Sequence, residues 1–161
     1  MRVAVACDHA GFPLKQIVLE ELGRLGHETL DLGTHSSDPY DYPQAARDVA
    51  EAVLGGRAAR GLLICGSGAG ACVAANKFPG IRAATCHDTY SARQAVEHDG
   101  LNVLCLGARV VGPELALELV RSYAAASFSG EERHRKRLDL VAKFERSFGR
   151  MPEASARLRT R

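Results

Sequence analysis

The sequence predicts a three-layer α/β fold, with a five-stranded parallel sheet and helices on both faces. Three observations predict it. Five apolar runs of five or six residues alternate along the 161 residues with segments of helical periodicity, the pattern of strands buried on both sides. Most of these runs end in polar or ionisable residues, and a doubly covered parallel sheet presents its ligand-binding loops at the carboxyl ends of its strands. Apolar content of 46% and charged content of 25% suit one soluble domain of this length.

Taken in order, residues 2–7 (Arg-Val-Ala-Val-Ala-Cys) are the first strand, followed by the loop Asp8-His9-Ala10-Gly11. Leu14, Ile17, Val18, Leu22 and Leu25 recur at helical spacing, so 12–25 is an amphipathic helix that Gly26 ends. Residues 28–32 are the second strand, and 33–40 form a loop dense in turn formers. Asp41-Tyr42-Pro43 opens the next helix, with proline suited to a first turn; Ala46, Val49, Ala50 and Val53 give it a small-residue stripe before Gly55-Gly56. The third strand, 61–65, runs into a glycine loop and a helix reaching about Asn76. Residues 81–86 are a fourth strand and 89–97 a helix. Residues 102–106 are a fifth strand, followed by Gly107-Ala108-Arg109 and a helix opened by Gly112-Pro113. A last helix over about 130–148 begins with acidic residues suited to its dipole. Such an order is Rossmann-like. It places one domain over residues 1–148 and leaves 149–161 as a basic, disordered tail.

Composition excludes several roles. No apolar run approaches the length needed to span a bilayer, and no signal-peptide-like segment follows Met1-Arg2, so the expected location is the cytoplasm. Net charge is +2, but the tail holds four arginines against one glutamate, which leaves the rest of the chain close to −1. A nearly neutral body argues against nucleic acid as the partner. Five cysteines, at 7, 65, 72, 86 and 105, are odd in number and form no Cys-x-x-Cys pair. That pattern fits reduced thiols rather than a disulfide framework, and no zinc-ligand spacing is present.

Three groups carry chemistry. Leu62-Leu63-Ile64-Cys65-Gly66-Ser67-Gly68-Ala69-Gly70 is an apolar strand, a cysteine and a glycine loop before a helix. Backbone N–H groups converge at such a turn and favour negative charge, including a Cys65 thiolate. A turn of this kind also serves close helix packing alone. Gly66, Gly68 and Gly70 are not followed by Gly-Lys-Ser/Thr, and they miss the dinucleotide spacing, so NTP and nicotinamide sites are not indicated. Arg133 and Arg137, one helical turn apart, with His134 beside them, read either as a solvated basic face or, together with Arg109, as a clamp for a phosphate dianion. His98-Asp99 ends the fourth helix.

With these residues assembled, the chain resembles the type B ribose-5-phosphate isomerases and the galactose-6-phosphate isomerase subunits. Asp8-His9-Ala10-Gly11, Asp41-Tyr42-Pro43, the glycine loop, Ala74-Ala75-Asn76-Lys77, Glu97-His98, Asn102-Val103-Leu104, Gly107-Ala108-Arg109 and Arg133-His134 with Arg137 match in one colinear order. The resemblance implies an aldose–ketose isomerase of sugar phosphates that uses neither metal nor organic cofactor. It implies Cys65 as the base that moves a proton between C1 and C2, and Ser67 and the N–H groups of the loop as supports for the enediolate. Ring opening falls on His98, supported by Asp8. Phosphate binding falls on His9, Arg109, Arg133, His134 and Arg137, and Tyr42 lines the sugar pocket. Sites in the family are built between subunits, so a homodimer or a tetramer is implied. Asp99 stands where relatives often carry asparagine; being acceptor-only when ionised, it alters the contacts available to sugar hydroxyls. Cys72, Cys86 and Cys105 are assigned to packing.

Overall fold

In the computed structural model, which describes residues 1–148, the strands are β1 (Arg2–Cys7), β2 (Glu28–Asp31), β3 (Arg60–Cys65), β4 (Ala83–Thr85) and β5 (Val103–Gly107). The helices are α1 (Phe12–Arg24), α2 (Tyr42–Leu54), α3 (Ala69–Ala75), α4 (Thr89–Asp99), α5 (Pro113–Ala125) and α6 (Glu132–Phe148). All strand pairs are parallel, in the order β2-β1-β3-β5-β4. The chain leaves β1 toward β2, then returns across the sheet to β3. Loops on either side of that reversal diverge and open a crevice at the carboxyl ends of β1 and β3. The expected tail at 149–161 lies outside the described residues.

Alternation along each strand separates two cores. On one face Val3, Val5, Leu62, Ile64, Leu104 and Leu106 pack against α1, α4 and α5, through residues such as Leu14, Val18, Val96 and Leu119. On the other face Ala4, Ala6, Leu63, Cys65 and Cys105 meet Ala45, Ala46, Val49 and Ala50 of α2 and Ala71 and Ala75 of α3. The second face is built of small residues, which bring the helices close to the sheet. At Gly61 the approach is so close that a Cβ would overlap Val49.

Polar groups tie the layers together. Tyr123, fully buried, donates its hydroxyl to the Gly61 carbonyl at 3.0 Å. Arg60 donates to the carbonyls of Tyr123 and Ala126 at the end of α5, where a cation is favoured. Lys15 is buried, and its ammonium group donates to both carboxylate oxygens of Asp31 at 2.9 Å and to the Thr34 carbonyl at 2.7 Å. That uses all three of its protons and fastens the loop after β2 to α1.

Element boundaries follow the sequence reading closely, with two differences. β4 spans three residues rather than the expected six. Asn102 accepts from the Arg82 N–H and donates to the Gly80 carbonyl, so side-chain bonds replace ladder bonds before Ala83. On the outer edge, Asn76 accepts from the N–H of Ala83 and donates to its carbonyl. The last helix starts at Glu132 and packs on α4, leaving Leu140, Val141, Phe144 and Phe148 exposed. Among the described residues no helix is long and apolar enough to cross a membrane.

Candidate active site

The crevice at the strand ends is a cavity of about 360 Å³ lined by Asp8, His9, Tyr42, Cys65, Ser67 and Arg109, with Ala10, Gly66, Gly70 and Val110 completing the wall. Cys65 ends β3, its side chain directed to the small-residue face, and only 4% of it is exposed. The backbone then turns at Gly68, whose φ of 80° favours glycine. This turn aims the Gly68 N–H at the Cys65 Sγ, 3.1 Å away. Thr85 donates its hydroxyl to the Gly68 carbonyl at 3.2 Å and steadies the same residue from β4.

Neighbouring loops lock onto this turn through glycines. Gly107 leaves no room for a side chain, since a Cβ there would lie 2.6 Å from the Ser67 carbonyl. Ala108 and Arg109 donate their N–H groups to the carbonyls of Cys65 and Gly66, at 2.8 and 3.0 Å. Arg109 thereby lies across Gly66, its guanidinium at the cavity. From β1, the Asp8 N–H donates to the Ile64 carbonyl at 3.1 Å, while the Asp8 carboxylate accepts from the Gly11 N–H at 2.8 Å. A Cβ at Gly11 would overlap Ile64. His9 follows, its Nδ1 3.3 Å from the backbone N–H of Tyr40. Tyr42 lays its ring against Gly70, where a Cβ would approach it to 2.9 Å. The side-chain hydroxyl of Ser67 accepts from the Ala69 N–H at 3.3 Å.

A second hollow of about 490 Å³ shares His9, Ala10 and Arg109 with the cavity and reaches Pro13 and Pro113, in the first turns of α1 and α5. Two helix N-termini and an arginine at one rim make it favourable to negative charge.

The remaining expected residues form a separate cluster. His98 and Asp99, at the end of α4, and Arg133, His134 and Arg137, on α6, all lie outside the Cys65 cavity of their own chain. His98 and His134 stack, with ring centroids 4.2 Å apart at 25°. His134 is 1% exposed, and its Nδ1 lies 2.6 Å from the Ser129 hydroxyl. Burial, reinforced by His98, holds its imidazole below the ordinary histidine range. Arg133 donates to Glu131 at 2.8 Å. Arg137 and Asp99 line a groove of about 420 Å³ between α6, α4 and β4. A clamp combining Arg109 with Arg133 and Arg137 is therefore not formed within one chain.

All five cysteines are free. Burial pushes the Cys7 and Cys86 thiols up to about 11. Cys72 is drawn down to about 6, chiefly by a hydrogen bond from Cys105, with Thr85 and Asn76 adding to it. Cys72 does not line the cavity, whereas Cys65 does. Sequence reasoning missed Val110 in the cavity wall and Gln94 beside His98; the latter was visible as the residue one helical turn before His98.

A family model described as Ribose/Galactose Isomerase matches residues 3–141. The chain is 45% identical over 144 residues to ribose-5-phosphate isomerase B of Escherichia coli, covering 89% of this chain and 96% of that protein. It is 42% identical to D-erythrulose-4-phosphate isomerase of Pectobacterium atrosepticum, over 81% of this chain and 86% of that one. The solved structure of ribose-5-phosphate isomerase B from Clostridium thermocellum superposes with a TM-score of 0.89 at 43% identity, covering 92% of this chain and 99% of that chain.

Proposed function

The chain belongs to the ribose/galactose isomerase family, and from that premise we propose that it interconverts ribose 5-phosphate and ribulose 5-phosphate through an enediolate, with Cys65 as the base. The observation that carries the reading is Cys65 in the cavity wall, its sulfur 3.1 Å from the Gly68 N–H, with Arg109 and His9 lining the same cavity. A thiolate held by an amide proton takes the C2 proton of the open-chain aldose and returns it at C1, while the proton of the C2 hydroxyl passes to the C1 oxygen, so that the carbonyl moves from C1 to C2. Charge that develops on the sugar oxygen meets the Ser67 hydroxyl and the N–H groups of the loop. The phosphate sits toward His9 and Arg109, where the first turns of α1 and α5 add positive potential.

Ring opening precedes this step, because the closed sugar has no carbonyl. The anomeric hydroxyl gives up a proton and the ring oxygen gains one, a task that suits His98 with Asp8. These two residues belong to separate clusters of one chain, and a second copy unites them: His98, Asp99, Arg133, His134 and Arg137 of one subunit complete the Cys65 cavity of its partner. The exposed apolar stripe Leu140, Val141, Phe144 and Phe148 on α6 supports this arrangement, since an amphipathic helix leaves such a face bare only where something covers it.

Mixing tests both parts of the reading. Cys65→Ala and His98→Asn proteins, each inactive on ribose 5-phosphate, should recover about a quarter of wild-type activity after random exchange of subunits in a dimer. No recovery would refute the shared site. The 42% identity to an erythrulose-4-phosphate isomerase favours a second reading, a change of sugar with the same chemistry. Allose 6-phosphate and galactose 6-phosphate belong in the same panel. The expectation is highest kcat/KM on ribose 5-phosphate; a higher value on the four-carbon sugar would move the assignment to it.

A further inference from the structure

We propose that Gln94 is a positioning residue that reserves Nε2 of His98 for the sugar. The inference rests on His98 as the ring-opening group and deepens that reading by naming the nitrogen involved. Gln94 precedes His98 by one turn of α4, and its amide nitrogen lies 2.8 Å from the His98 Nδ1. One face of the His98 ring is covered by His134, which is buried and anchored by Ser129. The Ser129 N–H in turn donates to the Glu97 carbonyl at 2.9 Å, so the loop before α6 is tied to the end of α4. Stacking fixes the plane of the ring, and the amide occupies one edge.

A hydrogen bond from the amide N–H requires a lone pair on Nδ1, so the neutral ring carries its hydrogen on Nε2. His98 therefore meets the closed sugar as a neutral Nε2–H hydrogen-bond donor to the ring oxygen, stabilising the charge that develops there as the C1–O bond opens, while the proton released by the anomeric hydroxyl passes through the Asp8 carboxylate to that oxygen. With leucine at position 94, Nδ1 faces water and both neutral tautomers become populated. With glutamate, the carboxylate accepts from an Nδ1–H and the preference reverses.

Nitrogen-15 NMR of the histidine side chains at neutral pH, assigned by difference from His98→Asn, reads the tautomer directly. The expected wild-type spectrum shows one dominant Nε2–H form. Gln94→Leu should give averaged nitrogen shifts, and Gln94→Glu should give the Nδ1–H form. Gln94→Leu should also lower kcat roughly 3- to 10-fold, the worth of one neutral hydrogen bond, with KM unchanged, and by the same factor in both directions because the equilibrium constant is fixed. A wild-type ring dominated by the Nδ1–H form, nitrogen shifts unmoved by Gln94→Leu, or a kcat unchanged in Gln94→Leu would overturn the proposal. Failure of the underlying reading looks different: His98→Asn would keep full turnover from the aldose while the Gln94 variants still altered the tautomer.

Discussion

The two clusters of polar residues in this chain are built in opposite ways. At the strand ends, Asp8, Cys65, Ser67 and Arg109 are held by backbone bonds among three loops, and glycines at 11, 68 and 107 let those loops interlock. On α4 and α6, His98, His134 and Arg137 stand on helices, held by side-chain contacts and by packing against one neighbour. The first cluster encloses a cavity within its own chain; the second pairs a buried His134 with groups that reach the surface at the α4–α6 groove. Proton transfer at carbon demands placement to fractions of an ångström, which interlocked backbone supplies. On the proposed reading, ring opening and the grip on phosphate fall to groups brought up by a second copy of the chain.

Replacing the base should break the contrast most strongly. Cys65→Ala is expected to lower kcat roughly 10³-fold while the circular dichroism spectrum stays native, because removal of a general base forfeits a factor of this order; full activity would end the assignment. Next in size is the grip on phosphate. Arg137→Met should raise KM roughly 10- to 100-fold with little change in kcat, the worth of a charge-assisted hydrogen bond, and Arg109→Met should do the same. A response from Arg109 alone would remove the helical cluster from the site.

Stability changes are smaller and separate the clusters further. Lys15→Met takes the ammonium group from the Asp31 carboxylate and the Thr34 carbonyl and loosens the loop that runs from β2 past His9 to Tyr42, at a cost of about 2–3 kcal/mol in urea unfolding. On the helical side, the His134 imidazole is depressed below its usual value of 6.5. The unfolded chain then binds that proton more readily, so this contribution to stability is complete above pH 6.5 and is lost as pH falls below it. The fall in melting temperature between pH 7.5 and 5.5 should therefore be smaller in His134→Asn than in the wild type; an equal fall would contradict this account.

Much of the strand-end cluster was legible in sequence. Apolar runs, glycine punctuation and residues at run ends are local signals, and they placed Cys65, Ser67 and Arg109 on adjacent loops. β4 was overextended because Ile81 and Arg82 look like strand, whereas Asn102 satisfies the backbone there from another segment. The burial of His134 was not legible either. In a run of charged residues it reads as one more solvated group, and only the return of α6 onto α4 covers it. Periodicity shows which face of a helix is apolar, but not which element, or which copy of the chain, will cover it.

Gly61 and the alanines of α2 carry one more consequence. With no slack between α2 and β3, enlarging a residue on that side must lift the whole helix, and Tyr42 at its first turn would leave the crevice with it. Attempts to retune which sugar is accepted are thus confined, within one chain, to Val110 and the loop before Tyr42, because the sheet beneath has no room to adapt.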